Sequence, residues 1–223
     1  MNLEGRRIRM VMGLRRAGVT DPQVLGAMER MERERFVPIT WIEQAYEDKP
    51  LPIGHGQTIS RPAIVGLMLQ ALEVGPRMRI LEIGVGSGYQ TALLARLARA
   101  VYGIERVRPL FADAKIRLSA MGIDNIFLRY ADGGSGWPES APFDRIIAAA
   151  TADDVPGALA DQLKIGGVMV LPLSDSSGQA LWRIRRSDSG FSTEEIGEAS
   201  FVPFLSGTET SLEKRASAGR QGG

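Results

Sequence analysis

The chain has no cysteine among its 223 residues, which excludes disulfides, thiolate nucleophiles and zinc–thiolate centres. A reducing compartment is compatible with that composition. Histidine is almost as scarce. His55 stands alone, so a histidine-dependent triad has one residue to build on and a His-rich metal site cannot be built. No metal is expected. Net charge is also lacking: 27 Lys and Arg against 26 Asp and Glu leave +1, too little for a global field that holds nucleic acid or an anionic membrane. The local run of Arg6, Arg7, Arg9, Arg15 and Arg16 reads as a solvated helix face. Met1 to Met12 carries arginines throughout and has no uninterrupted apolar stretch of signal-peptide or membrane-span type. The expected location is the cytoplasm.

A hydrophobic content of 44% with 24% charged residues suits one sizeable core with appendages. Apolar positions at helical spacing from about Leu3 to Met31 break at Gly18 and Asp21-Pro22, predicting two helices, the second starting at Pro22 and capped by Thr20 or Asp21. From Phe36 to Ser60 the chain is rich in Pro, Gly and aromatics and reads as a long irregular loop, which in a compact domain is usually functional. A helix over Pro62 to Leu72 follows. Strand patterns then occur at Arg79–Ile83, Ala100–Ile104, Ile126–Tyr130, Arg145–Ala149 and Val168–Leu171, with helices near Tyr89–Ala98, Pro109–Met121 and Pro156–Leu163 between them. Short apolar runs joined by helices predict an α/β fold, a doubly wound and mostly parallel sheet. Ala180–Arg185 and Glu194–Phe201 follow without a helix between them and predict an antiparallel C-terminal edge. The organisation expected is N-terminal helices and a loop over 1–60, the main domain over 61–205, and a loose Gly-rich tail over 206–223.

The strongest chemical signal is Leu81-Glu82-Ile83-Gly84-Val85-Gly86-Ser87-Gly88, a glycine cluster between a strand and a helix. Glycines there let the backbone turn sharply and approach a ligand. The dinucleotide fingerprint needs glycine at position 89, and Tyr89 stands there. Glu105 ends the next strand, where a carboxylate can accept both hydroxyls of a ribose. Asp132-Gly133 follows the third. Acidic residues at the carboxyl ends of successive strands line one crevice, and they suit a cationic sulfonium cofactor better than a pyrophosphate. Each has a plainer reading: Glu105 as a helix-start acid, Asp132-Gly133 as a turn, the glycines as a common α/β connection. Their order and spacing together favour the binding site.

With these residues in view, the chain resembles the protein-L-isoaspartate O-methyltransferase family, a branch of the class I S-adenosylmethionine methyltransferases with a Rossmann-like domain. The likeness runs from the N-terminal helices to Phe201-Val202-Pro203-Phe204, and its most specific stretch is Leu51-Pro52-Ile53-Gly54-His55-Gly56-Gln57-Thr58-Ile59-Ser60. Arg35-Phe36-Val37-Pro38, Gly136-Trp137-Pro138, Ala141-Pro142-Phe143-Asp144 and Gln162 to Gly167 support it. The resemblance implies S-adenosylmethionine as cofactor and isoaspartate-containing proteins and peptides as partners. It makes Ser60 the catalytic-site serine and places the methionine part on the turn with Gly84, Gly86, Ser87 and Gly88, the ribose on Glu105, and the adenine side on Asp132 and Gly133, with Glu82 also counted as cofactor-binding. Ile53, Gly54, His55, Gln57, Thr58, Ile59, Val202 and Pro203 form its substrate loop. Departures from the family pattern are Val85 in the glycine turn, Arg61 where glutamine is common and Ala149 where threonine is common. Arg61 and Ala149 fall at the implied substrate entrance. A monomer or weak oligomer is expected, binding neither nucleic acid nor membrane.

Methyl transfer to a carboxylate is an in-line displacement by a nucleophile already ionised at neutral pH, so no strong base is needed. Alignment alone is worth roughly 7–11 kcal/mol in near-attack geometry. That chemistry is open to a chain with one histidine and no cysteine. Ser60 also has a structural reading, as the cap of the helix entered at Pro62, and His55 between two glycines reads better as a loop residue than as a base. Three other activities stay open at this point. Base methylation commonly uses an Asn/Asp-Pro-Pro-aromatic segment after the fourth strand, where this chain has Ala148-Ala149-Ala150-Thr151-Ala152. A related carboxyl methyltransferase could serve an aspartate of a dedicated partner. A cofactor-binding module without catalysis is the third.

Overall fold

The computed structural model describes residues 2–176 and 178–209. Two helices, α1 (Leu3–Arg16) and α2 (Pro22–Arg30), lead into two short 3-10 turns over Arg33–Phe36 and Ile39–Gln44. A two-stranded hairpin follows, β1 (Leu51–Gly54) and β2 (Gln57–Ile59), then α3 (Pro62–Leu72). The alternating body runs β3 (Arg79–Ile83), α4 (Tyr89–Leu97), β4 (Ala100–Glu105), α5 (Arg108–Ala120), β5 (Ile126–Tyr130), β6 (Phe143–Ala148), α6 (Gly157–Gln162) and β7 (Leu163–Asp175). It closes with β8 (Gly178–Ser187) and β9 (Gly190–Glu198).

The main sheet has the order β5-β4-β3-β6-β7-β8-β9. Its first five strands pair in parallel, and β7-β8 and β8-β9 pair antiparallel, as the helix-free C-terminal pattern predicts. The order reverses between β3 and β6, where chains leave the sheet in opposite directions and open a crevice at the carboxyl ends. Strand alternation sends Ile80 and Ile147 into one apolar cluster and Leu81, Ile83, Ile146 and Ala148 into the other. The first cluster joins α1, α2, the hairpin, α3 and α4 in one continuous core. Nine of the 11 residues of α3 are buried, because this helix packs between α1 and α2 on one side and β6, β7 and β8 on the other.

Local signals behave as their chemistry requires. Of the two candidate caps of α2, Asp21 takes the position: its carboxylate accepts from Gln23 N at 2.7 Å and Val24 N at 3.3 Å, with Pro22 at the first turn. Thr20 instead turns its amide to Gln70 Oε1 at 2.7 Å. Two elements differ from the sequence reading. The expected irregular stretch contains the β1-β2 hairpin, whose tip residues Gly54, His55 and Gly56 all have positive φ. β7 runs 13 residues where four were expected: Leu163 to Gly167 joins it through a register shift against β6, and Pro172 to Asp175 continues it in antiparallel pairing with β8. Of the tail expected over 206–223, residues 210–223 lie outside the described residues. Among the described residues no helix is long and apolar enough to cross a membrane.

Leu69, fully buried on α3, tests this packing. Leu69→Ala is expected to lower unfolding stability by about 2–5 kcal/mol, read as a drop in denaturant midpoint without a change in slope.

Candidate active site

A cleft of about 200 Å³ opens at the carboxyl ends of β3 and β4. Gly84, Gly86, Glu105 and Gly133 line its sheet side, Ile53, Gln57, Thr58 and Ser60 its hairpin side, and Val202, Pro203 and Phe204 its outer wall. Residues far apart in the chain therefore converge as the glycine turn and the Pro-Gly stretch suggest. Gly84, Gly86 and Gly88 have φ of 87°, 55° and 88°, a left-handed alternation that L side chains rarely adopt. A Cβ on Gly86 would reach ordinary contact with Ile53 Cδ1 at 3.4 Å, so the hairpin closes onto the turn, and it is the backbone angle that calls for glycine there.

Glu105 governs the turn. Its Oε2 accepts from Gly86 N and its Oε1 from Val107 N, both at 2.8 Å. Burial raises its pKa while these backbone donors oppose the rise. Glu82 is placed differently. Strand alternation points it away from the cleft, under α4, where it is fully buried and accepts from Gln90 Nε2 at 3.2 Å. Burial pushes its carboxyl up to about 8, with Thr91, Gln90 and then the Glu105 charge as smaller influences. Its Oε2 and the Thr91 hydroxyl have no partner of hydrogen-bonding geometry, although the hydroxyl is near enough to hold the carboxyl down. Ser87 and Val85 border a small recess of about 40 Å³ that adjoins Ser60 and Gly84. Gly88 lies behind it, at the N-cap of α4.

Ser60 ends β2's extension and stands between two openings, the cleft and a neighbouring groove of about 420 Å³. It does not cap α3: Arg61 occupies the N-cap position, and Ala63 N donates instead to Asp48 Oδ1 at 2.8 Å. The Ser60 hydroxyl makes no hydrogen bond within the described residues. Its backbone is fixed by Arg33, a fully buried residue whose guanidinium donates to Ser60 O at 2.8 Å and Ala45 O at 2.7 Å and lies 4.6 Å from the Tyr89 ring centre. Gly54 and His55, at the exposed hairpin tip, stay off the cleft lining, and Ile59 is buried under it.

The chain after β9 straps the cleft. Thr151 N donates to Val202 O at 2.9 Å and Phe204 N to Thr151 O at 2.7 Å. Further on, Gly207 N donates to Asp132 Oδ2 at 2.6 Å, and Arg106 Nε to Gly207 O at 3.0 Å. The other oxygen of Asp132 caps its own turn through Gly134 N at 2.8 Å. Gly133 reaches the cleft lining; Asp132 stands behind it and ties strap to sheet. Among the described residues no group of three or more His, Asp or Glu could hold a metal.

Comparison with known proteins places this geometry. The family model described as Protein-L-isoaspartate(D-aspartate) O-methyltransferase matches residues 6–209. The chain belongs to that family. Curated relatives named protein-L-isoaspartate O-methyltransferase include one from Paramagnetospirillum magneticum, 53% identical over 92% of this chain and 96% of its own length. Another, from Paracoccus denitrificans, is 52% identical over 91% and 94%. A solved protein-L-isoaspartate O-methyltransferase superposes with a TM-score of 0.80 at 28% identity, covering 95% of this chain and 69% of that one. A Plasmodium falciparum structure of the same description, in complex with S-adenosyl-L-homocysteine, gives 0.77 at 26% identity over 88% and 97%. These two superpositions cover 95% and 88% of this chain.

Several cleft residues escape a motif reading. Arg33 sits in Glu32-Arg33-Glu34-Arg35, which reads as a solvated charge run. Arg106, Leu110 and Leu205 line the cleft without any local signature. Ala149, visible as a departure from the family pattern, borders the cleft, the groove and the recess alike.

Two measurements follow from these placements. Asp48→Ala is expected to cost about 1 kcal/mol through the lost cap of Ala63 N, whereas Ser60→Ala leaves the denaturant midpoint near that of the parent. For Glu82, native and unfolded chains are both protonated below the ordinary value of 4.5, and only the native chain is protonated between 4.5 and about 8. Its contribution to stability therefore falls as pH rises through that window. Between pH 5 and pH 8.5 the parent should lose on the order of a few kcal/mol more stability than Glu82→Gln, read from denaturant titrations at both values.

Proposed function

We propose that this chain transfers a methyl group from S-adenosylmethionine to the free carboxylate of L-isoaspartyl residues in proteins and peptides. One observation carries the reading: a serine hydroxyl with no hydrogen-bond partner among the described residues stands where the cleft at the glycine turn meets an open groove. The cleft suits the cofactor on its own chemistry. A bare glycine turn leaves space that a Cβ at Gly86 would fill, a buried carboxylate at Glu105 faces a position fit for a diol, and apolar Ile83, Ile104, Val107 and Leu110 flank it.

In this mechanism Glu105 accepts from the ribose hydroxyls, the backbone of the Gly84 to Gly88 turn holds the methionine part, and Gly133 with the Asp132-anchored turn borders the adenine. Bound there, S-adenosylmethionine supplies an electrophilic sulfonium methyl. Ser60 donates a hydrogen bond to one oxygen of the substrate carboxylate and aims the other oxygen at the cleft. Ile53, Gln57 and Thr58 of the hairpin, with Val202 and Pro203 opposite, enclose the reacting groups and exclude water. No residue takes a proton, since the carboxylate arrives ionised. The carboxylate oxygen forms its bond to the methyl carbon as the carbon–sulfur bond breaks, and the electron pair stays on sulfur. The ester is a better electrophile than the acid, so the neighbouring amide nitrogen closes a succinimide with loss of methanol, and hydrolysis returns part of it as aspartate. Its partners are isoaspartate-containing proteins and peptides, and its place of action is the cytoplasm.

Purified protein incubated with S-adenosylmethionine should release methanol with an isoaspartyl peptide and none with the matched aspartyl peptide; silence with both overturns the reading. Ser60→Ala should lower kcat by roughly tenfold to a hundredfold, the worth of one hydrogen bond to a charged group, with cofactor affinity unchanged by calorimetry. Glu105→Gln should weaken cofactor affinity by a comparable factor, since its amide group accepts through one oxygen only.

A further inference from the structure

The groove beside Ser60 has charges that methyl transfer does not use. Its apolar surface includes Ile64, Phe201 and Val202, and its lining carries two charges of opposite sign on different elements, Arg61 at the start of α3 and Glu198 at the end of β9. Arg61 is 46% exposed along its side chain, and among the described residues its one ion-pair partner, Asp48 Oδ2, lies 3.8 Å away, at the limit of an ion pair. The other oxygen of Asp48 is committed to Ala63 N. Glu198 is exposed and has no side-chain partner within the described residues. A guanidinium so weakly paired keeps most of its capacity for a second carboxylate.

Its position sets what it can meet. Arg61 follows Ser60 directly, so its Cα is about 3.8 Å from that of Ser60, and an extended peptide advances about 3.3 Å per residue. With the reacting carboxylate at Ser60, the long arginine side chain spans the first or second neighbour on the flank that passes the start of α3. Glu198, on a different element, lines the same groove.

We propose that Arg61 is a specificity-determining residue, favouring isoaspartyl substrates that carry a carboxylate within two residues of the damaged position on one flank, while Glu198 disfavours it on the other. This rests on the reaction proposed above and extends it to the choice among substrates. An acidic neighbour on the favoured flank lowers KM and leaves the methyl transfer step as it is, because Arg61 acts on binding and does not touch the reacting atoms.

The test uses isoaspartyl hexapeptides identical except for Ala, Glu or Lys at the first position before or after the isoaspartyl residue. The quantity read is the ratio of kcat/KM for the Glu or Lys peptide to that for the Ala peptide, within each enzyme. The parent should prefer Glu at one flank by about two- to fivefold, the range of an exposed ion pair, disfavour Lys there, and lose the preference as ionic strength rises. Arg61→Gln should bring the ratio at that flank to about one, and Arg61→Glu should invert it. Glu198→Lys should create a preference for Glu at the opposite flank. A parent without preference, or a ratio unchanged by Arg61→Gln, overturns the assignment. Turnover of the Ala peptide keeps that failure apart from failure of the reaction itself: if the parent methylates none of the peptides, the proposed reaction falls and the assignment with it.

Discussion

The site depends on one buried cation. Among the described residues no carboxylate forms an ion pair with Arg33; two carbonyl oxygens and an aromatic face hold it, and burial lowers its pKa. Burying a guanidinium is costly unless its donors are satisfied, and one of its nitrogens, Nη1, has no partner of hydrogen-bonding geometry among the described residues, although the Tyr89 hydroxyl is near enough to favour the charge. What that cost secures is register. Ala45 belongs to the segment before the hairpin, Ser60 to the segment after it and Tyr89 to the first residue of α4. Arg33 ties all three, so the serine, the hairpin and the glycine turn have a common reference point. Without it the hairpin would have two short strands and its own side-chain contacts to hold it, too little for independent order.

From that reference the rest is a matter of directions. The parallel sheet sends its carboxyl ends to one edge, the strand order reverses between β3 and β6, and the glycine turn and the cleft collect there. Glu105 then fixes the turn by accepting from Gly86 N, so the residue expected to bind a ribose also shapes the loop around it. The strap works likewise from the other side. Asp132 and Arg106 both bond Gly207, which draws Pro203, Phe204 and Leu205 over the cleft. Cleft and groove meet at Ser60, Thr58, Ala149 and Val202, a junction where one partner can be enclosed while the other arrives from solvent.

The same geometry separates residues that look alike in the chain. Glu82, Glu105 and Asp132 all stand at strand ends, yet their surroundings differ. Pleating aims Glu82 under α4 and leaves it without solvent; Glu105 faces the cleft edge with two amide donors; Asp132 is held between its own turn and the strap. Likewise Ser60 looks like a helix cap in sequence, being two residues before a helical proline. The cap comes from Asp48, 15 residues upstream of the amide it serves, and this frees the hydroxyl for another partner.

Sequence alone determined the elements whose signals are local. The β3 to β6 strands, the helices between them, the glycine turn, Asp21 as one of two possible caps and the antiparallel edge all follow from periodicity, glycine placement and side-chain chemistry within a few residues. The Pro-Gly stretch was legible as functional, and its likeness to one family named the cofactor and the serine. Tertiary structure alone decided the hairpin inside that stretch, the full length of β7, the burial of Arg33, the inward turn of Glu82 and the closure by the strap. The hairpin pairs within nine residues of chain, but Pro and Gly mask its strand pattern; Arg33 and the strap rest on partners well outside the local stretch, Ser60 and Asp132 among them, and such contacts leave no trace in local spacing: an arginine between two glutamates reads as solvated until the fold encloses it.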